Sequence, residues 1–143
     1  MQVSQSIGNN SCDVMEQAYL RFPHGEWGVV VVYDFDTDFE YYVLIEQMQS
    51  FGLSLRNARK AVNILSSYNT GMAISNETLK MSAIYISDAT SMSQWWDTAQ
   101  HELAHVVTAI IDAYDVPYDS EDAAYLAGFL TRQLVEEIGE PCR

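Results

Sequence analysis

The stretch WWDTAQHELAHVVTAIIDAYD, residues 95–115, determines how the rest of this sequence is interpreted. Its apolar residues recur at helical spacing, as on an amphipathic helix that packs one face on a core. The capping box Ser91-Met92-Ser93-Gln94 precedes it, and Pro117 follows it, so we expect a long helix between these two signals. The expected core-facing residues are Trp96, Ala99, Leu103, Val106, Val107, Ile110 and Tyr114.

The opposite face of this helix is polar and carries the motif His101-Glu102-Leu103-Ala104-His105. Imidazoles at positions i and i+4 lie one turn apart on the same face, so both can bind one Zn²⁺. Glu102, one step round the helix, can take a proton from a water molecule whose pKa a bound cation lowers toward ~7. The pattern therefore predicts His101 and His105 as metal ligands and Glu102 as the catalytic base. A helix with two solvated histidines and an exposed glutamate is the simpler alternative.

A catalytic zinc site needs a third protein ligand and an open position. No histidine follows His105, which excludes the longer H-E-x-x-H-x-x-G-x-x-H arrangement. Glu121, in the first turn of the next predicted helix, is the favoured ligand, although an acid there also complements the helix dipole. Asp122 is the next choice, followed by Asp112, and His24 lies in a predicted turn.

Two further residues are predicted to assist the site. Asp97, one turn before His101, can accept the second ring N–H of that histidine, or it can be a solvated surface acid. Tyr125, one turn after Glu121, can stabilise a developing oxyanion, or it can serve packing alone.

The flanking sequence predicts an α+β fold in one domain of residues 1–143. We expect a small antiparallel or mixed sheet packed on the metal-site helix and a following C-terminal helix. WGVVVVYDF, residues 27–35, predicts a buried strand, and residues 70–87 predict two strands around a turn at Asn76 and Glu77. Helices are expected near residues 13–21, from a capping box at Thr37 to Gly52, and from 119 or 120 to Gly139. A further helix is expected at 54–67, with one apolar face formed by Leu55, Ala58, Ala61, Val62 and Leu65.

The chain is strongly acidic, with 7 Lys and Arg against 20 Asp and Glu and a formal net charge of −13. Such a field repels phosphate backbones and anionic lipids, so direct binding of nucleic acid or membranes is not expected, whereas a cation or a basic partner is favoured. GVVVVY is too short to span a bilayer, and the first twenty residues lack the pattern of a signal peptide. Cys12 and Cys142 are expected to be free thiols, and a disulfide bond between them is the alternative.

HELAH followed by a carboxylate on the next helix resembles the zincin superfamily with an acidic third ligand. More narrowly, IYISDATSMSQWWDTAQHELAHV with VPYDSEDAAYLAGFLTRQL, within residues 83–135, is similar to small zincin-like proteins of bacteriophages and mobile elements of gut Bacteroidales. The resemblance implies a metal-site fold acting in the cytoplasm of an infected bacterium or carried with the virion, with a phage or host protein as partner. It does not supply a substrate.

The leading hypothesis is a zinc-dependent metalloprotease that cuts a protein or peptide, with the strand SAIYIS as the sheet edge on which an extended substrate pairs. The sequence leaves two alternatives open. One is a non-catalytic phage structural or host-interaction protein whose metal pins two helices together. The other is an acidic mimic of DNA that inhibits a basic host protein.

Overall fold

A computed structural model of the chain describes residues 5–6, 16–21, 27–67, 71–87 and 89–139, with backbone alone for 5–6 and 16–21. The strands are β1 (Gln5–Ser6), β2 (Glu16–Arg21), β3 (Gly28–Tyr33), β4 (Gly71–Asn76) and β5 (Met81–Ile86). The helices are α1 (Tyr41–Ser50), α2 (Leu55–Ser67), α3 (Met92–Ala113) and α4 (Glu121–Ile138). The α+β prediction is confirmed, and α3 is the helix that carries HELAH.

The strands form one mixed sheet in the order β1-β2-β3-β5-β4. β3 and β5 are parallel, with Val31 opposite Ile84, and the other neighbouring pairs are antiparallel. The expectation that SAIYIS forms the sheet edge is wrong, because this segment is β5 and lies between β3 and β4. The edge next to α3 is β4, the first strand of the predicted hairpin, which pairs through Asn76 and Met81 at its turn.

Helices cover both faces of the sheet, because the side chains of its central strands alternate between two apolar clusters. Val29, Val31 and Ile84 face α3 and α4, where the cluster continues through the buried positions of both helices. Val30 and Tyr85 face α1 and α2 on the other side. This double burial explains why β3 is apolar along its whole length.

The predicted helix near residues 13–21 is wrong, because residues 16–21 form β2 and pair along the full length of β3. Tyr19 lies opposite Val30 and Leu20 opposite Val29 in this antiparallel register. The polar, mixed composition of the segment hid this pairing, since a strand gains most of its stability from neighbours distant in sequence.

The predicted helix ends are largely confirmed. Ser91 Oγ accepts the backbone N–H of Gln94, and Ser120 Oγ accepts that of Ala123. Gly139 ends α4 with a φ of 66°, a conformation that suits glycine. The exception is the predicted box at Thr37: the carboxylate of Asp36, one residue earlier, accepts the N–H groups of Asp38 and Phe39 instead.

Three residues differ from their predicted burial. Trp95, not Trp96, is the fully buried tryptophan of α3, at 1% exposed. Leu55 is exposed although its helical position predicted a core contact, and Tyr114 is 37% exposed although its ring does contact the buried Trp27 edge-on. Each lies at or next to a helix end, where the chain leaves the covered surface and periodicity no longer reports burial.

Within the described ranges, we find no helix that is both long and apolar enough to cross a membrane.

Candidate metal site

The motif residues of α3 line a groove against the edge strand β4. The groove has a volume of about 490 Å³ and is lined by Gly71, Met72, Ala73, Ser75, His101, Glu102, His105 and Ala109. Its strand side is made of small residues, since Met72 and Ile74 pack toward the opposite cluster while Ala73 packs toward α3. The backbone of β4 therefore runs close beside the motif.

His101 and His105 present their rings to solvent on one side of this groove. The ring centroids are 5.0 Å apart with an angle of 78° between the ring planes. Two imidazoles bound through nitrogen to one tetrahedral Zn²⁺ at about 2.0–2.1 Å have ring centres about 5 Å apart. The pair thus has the spacing of two ligands of a single ion, and both rings are accessible to it.

Glu102 is the buried member of the motif, with only 7% of its surface exposed. Its carboxylate makes no hydrogen bond or ion pair with another residue of the described ranges, yet it lines the groove. Burial raises the pKa of this carboxyl, and the nearby His101 and His105 oppose the rise. A carboxylate with a raised pKa beside two potential ligands has the properties of a general base.

Gly71 determines how closely β4 approaches Glu102. A Cβ atom at position 71 would lie 2.5 Å from Cγ2 of Thr98 and 3.0 Å from Cγ of Glu102, so the strand has no room for a side chain here. Neither Gly71 nor Thr98 is among the site residues predicted from the sequence. A glycine within a predicted strand signals close backbone approach, and Thr98 lies one turn before Glu102, so both signals were present.

Glu121, the favoured third ligand, is not brought to the histidine pair. It is exposed in the first turn of α4 and does not line the groove. Because α3 and α4 are joined by a short reversal, the start of α4 lies beside the end of α3, and Thr131 is the α4 residue that contacts Gln100. Within the described ranges, no three His, Cys, Asp or Glu side chains form a group able to hold a metal ion.

The other predicted acids lie in different surroundings. Asp97 is exposed on the same stripe as the histidines, one turn before His101. Asp112 accepts a hydrogen bond of 2.6 Å from the Tyr118 hydroxyl, which raises the pKa of that tyrosine. Asp112 thereby helps to close the turn between α3 and α4.

Asp122 and Tyr125 line a second, larger groove of about 810 Å³ that α4 and the C-terminal part of α3 share. Tyr125 is 72% exposed there, and neither residue lines the groove that holds the histidines. Asp122 and Tyr125 are therefore separated from His101, Glu102 and His105. His24, Cys12 and Cys142 lie outside the described residues.

Comparisons of this chain with protein-family models, with curated proteins and with solved structures find no match.

Proposed function

We propose that the groove between α3 and β4 is the active site of a zinc-dependent peptide hydrolase. The observation that carries the proposal is the carboxylate of Glu102, which lines the groove beside two histidines at metal-ligand spacing and makes no hydrogen bond or ion pair with another described residue, although only 7% of the residue is exposed. A carboxylate that its helix holds in a largely buried position is partly desolvated at a cost to the fold, so its presence at the groove favours a functional role.

His101 and His105 would hold the ion through one ring nitrogen each, with the remaining positions open to solvent or to a further ligand. A bound Zn²⁺ would supply Lewis-acid activation of water and of a carbonyl group. Glu102 would accept the proton of the attacking water and later deliver it to the leaving amine. The raised pKa of this carboxyl suits that exchange, since a base works best when its pKa lies near the working pH.

β4 would orient the substrate. It ends the described sheet, so an extended peptide can add as a further strand along its outer backbone. Because Gly71 has no side chain and those of Ala73 and Ser75 are small, that peptide would lie close to the motif. The expectation of substrate pairing at a sheet edge thereby moves from β5 to β4.

A purely structural metal agrees less well with this arrangement. Structural zinc sites are closed by four protein ligands, whereas both histidines here are exposed. The pair also faces β4 and not α4, so an ion held by it would not pin the two C-terminal helices together.

The test is the variant Glu102→Gln, incubated with zinc and a mixture of unstructured peptides, with cleavage products read by mass spectrometry. Loss of cleavage with unchanged zinc content is expected, because the amide cannot accept the proton. Glu46→Gln makes the same chemical change on the exposed surface of α1 and should cleave like the wild type. Equal cleavage by the wild type and Glu102→Gln, or none by the zinc-loaded wild type, would contradict the proposal.

A further inference from the structure

The outer surface of α4 carries a stripe of four residues that no other described element covers fully. Asp122, Tyr125, Phe129 and Arg132 recur at helical spacing along it. Tyr125 is 72% exposed, and the side chain of Arg132 is 70% exposed. All four line the apolar groove of about 810 Å³, so the stripe combines aromatic contact area with one charge of each sign near its ends.

The order of this stripe is self-complementary. If two copies of α4 are placed antiparallel about a two-fold axis that crosses the stripe at the level of Ala127, Asp122 of one copy lies opposite Arg132 of the other, and Tyr125 lies opposite Phe129. An isologous interface requires this property, because the same patch must match itself after rotation. Opposite charges then pair at both ends, with aromatic rings between them.

The remaining charges agree with the same axis. Within α3 and α4, which are described in full, Arg132 is the single Lys or Arg, and within one copy it makes only a weak, exposed ion pair of 3.9 Å with Glu136. About this axis, Glu121 falls opposite Gln133, whereas Glu136 and Glu137 extend beyond the first residue of the partner α4. Within α4, the pairing therefore places no acid directly opposite an acid, which is the main hazard for self-association of so acidic a chain.

The backbone of α4 can be approached closely next to the axis. A Cβ atom added at Gly128 would have no other atom within 4 Å, so the surface there is open. Gly128 flanks the stripe and lines the same groove, and the distance between packed helices depends on the side chains at such contacts, so its missing side chain leaves room for a second helix. Tyr125 and Phe129 lie together on the neighbouring face of the helix.

From these observations we propose that the chain forms a two-fold homodimer through the Asp122–Tyr125–Phe129–Arg132 stripe of α4. The exposed Tyr125 and the partly buried Phe129 provide the centre of the interface, and the two Asp122–Arg132 pairs select the antiparallel register. The occupant of the large groove is then the α4 surface of a second copy. This inference is independent of the metal site, which faces β4 on another side of α3.

Sedimentation of the full chain over a range of concentrations tests the proposal. The wild type should reach twice the mass of one chain. Arg132→Glu and Asp122→Lys should each raise the dissociation constant about tenfold or more, because each places like charges in contact. The double variant should return to within about threefold of the wild type, since the pair is then reversed and not broken. Gly128→Trp should block the dimer, although one copy has room for the ring.

Arg59→Glu, on the exposed surface of α2, changes the net charge as Arg132→Glu does and should not affect dimerisation. Circular dichroism confirms that each variant is folded. A wild type that remains monomeric at all concentrations overturns the proposal. So does a dimer that Arg132→Glu leaves intact, a double variant that remains dissociated, or an equal loss in Arg59→Glu.

Discussion

Gly71 and Glu102 are in such close contact that a methyl group at position 71 would lie 3.0 Å from Cγ and 3.1 Å from Oε2 of the glutamate. The edge strand and the catalytic-base candidate therefore fit together only because position 71 has no side chain. This contact links the sheet, the helix and the proposed chemistry.

The first prediction concerns this contact. Gly71→Ala should cost about 1–3 kcal/mol of unfolding free energy, because the added methyl group must displace Thr98 or Glu102. It should also reduce hydrolysis while zinc binding persists, since it shifts the base and touches neither histidine. Urea unfolding, zinc content and cleavage rate are the three measurements.

Gly128→Ala is the matched control, because a methyl group there meets no atom within 4 Å and alanine favours a helix. It should preserve stability, zinc content and cleavage. Equal stability of Gly71→Ala and the wild type would show that the contact does not hold.

The second prediction uses the pKa of Glu102. Burial raises this pKa in the folded chain above the ordinary value of about 4.3 that applies after unfolding. The buried carboxylate therefore favours folding less as the pH rises above that ordinary value. With zinc removed by a chelator, Glu102→Gln should be more stable than the wild type at pH 7, and the gain should disappear near pH 4.

Urea unfolding of both proteins at the two pH values measures this difference. Glu46→Gln, an exposed carboxylate on α1, should show no comparable gain at pH 7. A Glu102→Gln variant less stable than the wild type at neutral pH would mean that the carboxylate has a stabilising partner.

The third prediction concerns the buried hydrogen bond between Trp27 and Ser82 of β5. The indole N–H of Trp27 donates to the buried Oγ of Ser82 over 3.0 Å, and Oγ of Ser75 lies 2.7 Å from the same atom. Ser82→Ala leaves the indole N–H without its acceptor and should cost about 1–3 kcal/mol.

Ser75→Ala removes a hydroxyl from the more exposed strand and leaves the Trp27 bond in place, so its cost should stay below about 1 kcal/mol. Thermal unfolding of both variants compares them. A larger cost for Ser75→Ala would contradict the assignment of Ser82 as the acceptor that matters.

The fourth prediction concerns the third ligand. The sequence favoured Glu121, whereas the structure holds it at the start of α4, away from the motif. Glu121→Ala should therefore retain zinc, with Glu136→Ala, near the other end of α4, as the control. Loss of zinc from the Glu121 variant alone would show that the start of α4 closes over the groove when the ion binds.

Local patterns in the sequence predicted the helices and the hairpin well, because capping residues and helical periodicity act over a few residues. Ser91, Ser120 and Gly139 mark helix ends in this way. The strand β2 was mistaken for a helix because its stability comes from pairing with β3. The order of the strands, and so the identity of β4 as the edge, depends on contacts distant in sequence.

The residues of the candidate site likewise separate into those fixed by one helix and those that depend on contacts distant in sequence. His101, Glu102 and His105 were recognisable because a single helix fixes their spacing. Glu121 depended on how two helices pack, and a short reversal places helix starts and ends side by side. Gly71 carried the general signal of a glycine within a strand, but that signal does not tell which helix β4 approaches.

The most direct test of the central claim is elemental analysis of the purified, zinc-supplied protein beside His101→Ala, with both checked for folding. We expect one zinc ion per chain in the wild type and none in the variant. A wild type without zinc, or a variant that keeps it, would mean that HELAH is a solvated helix surface and not a metal site.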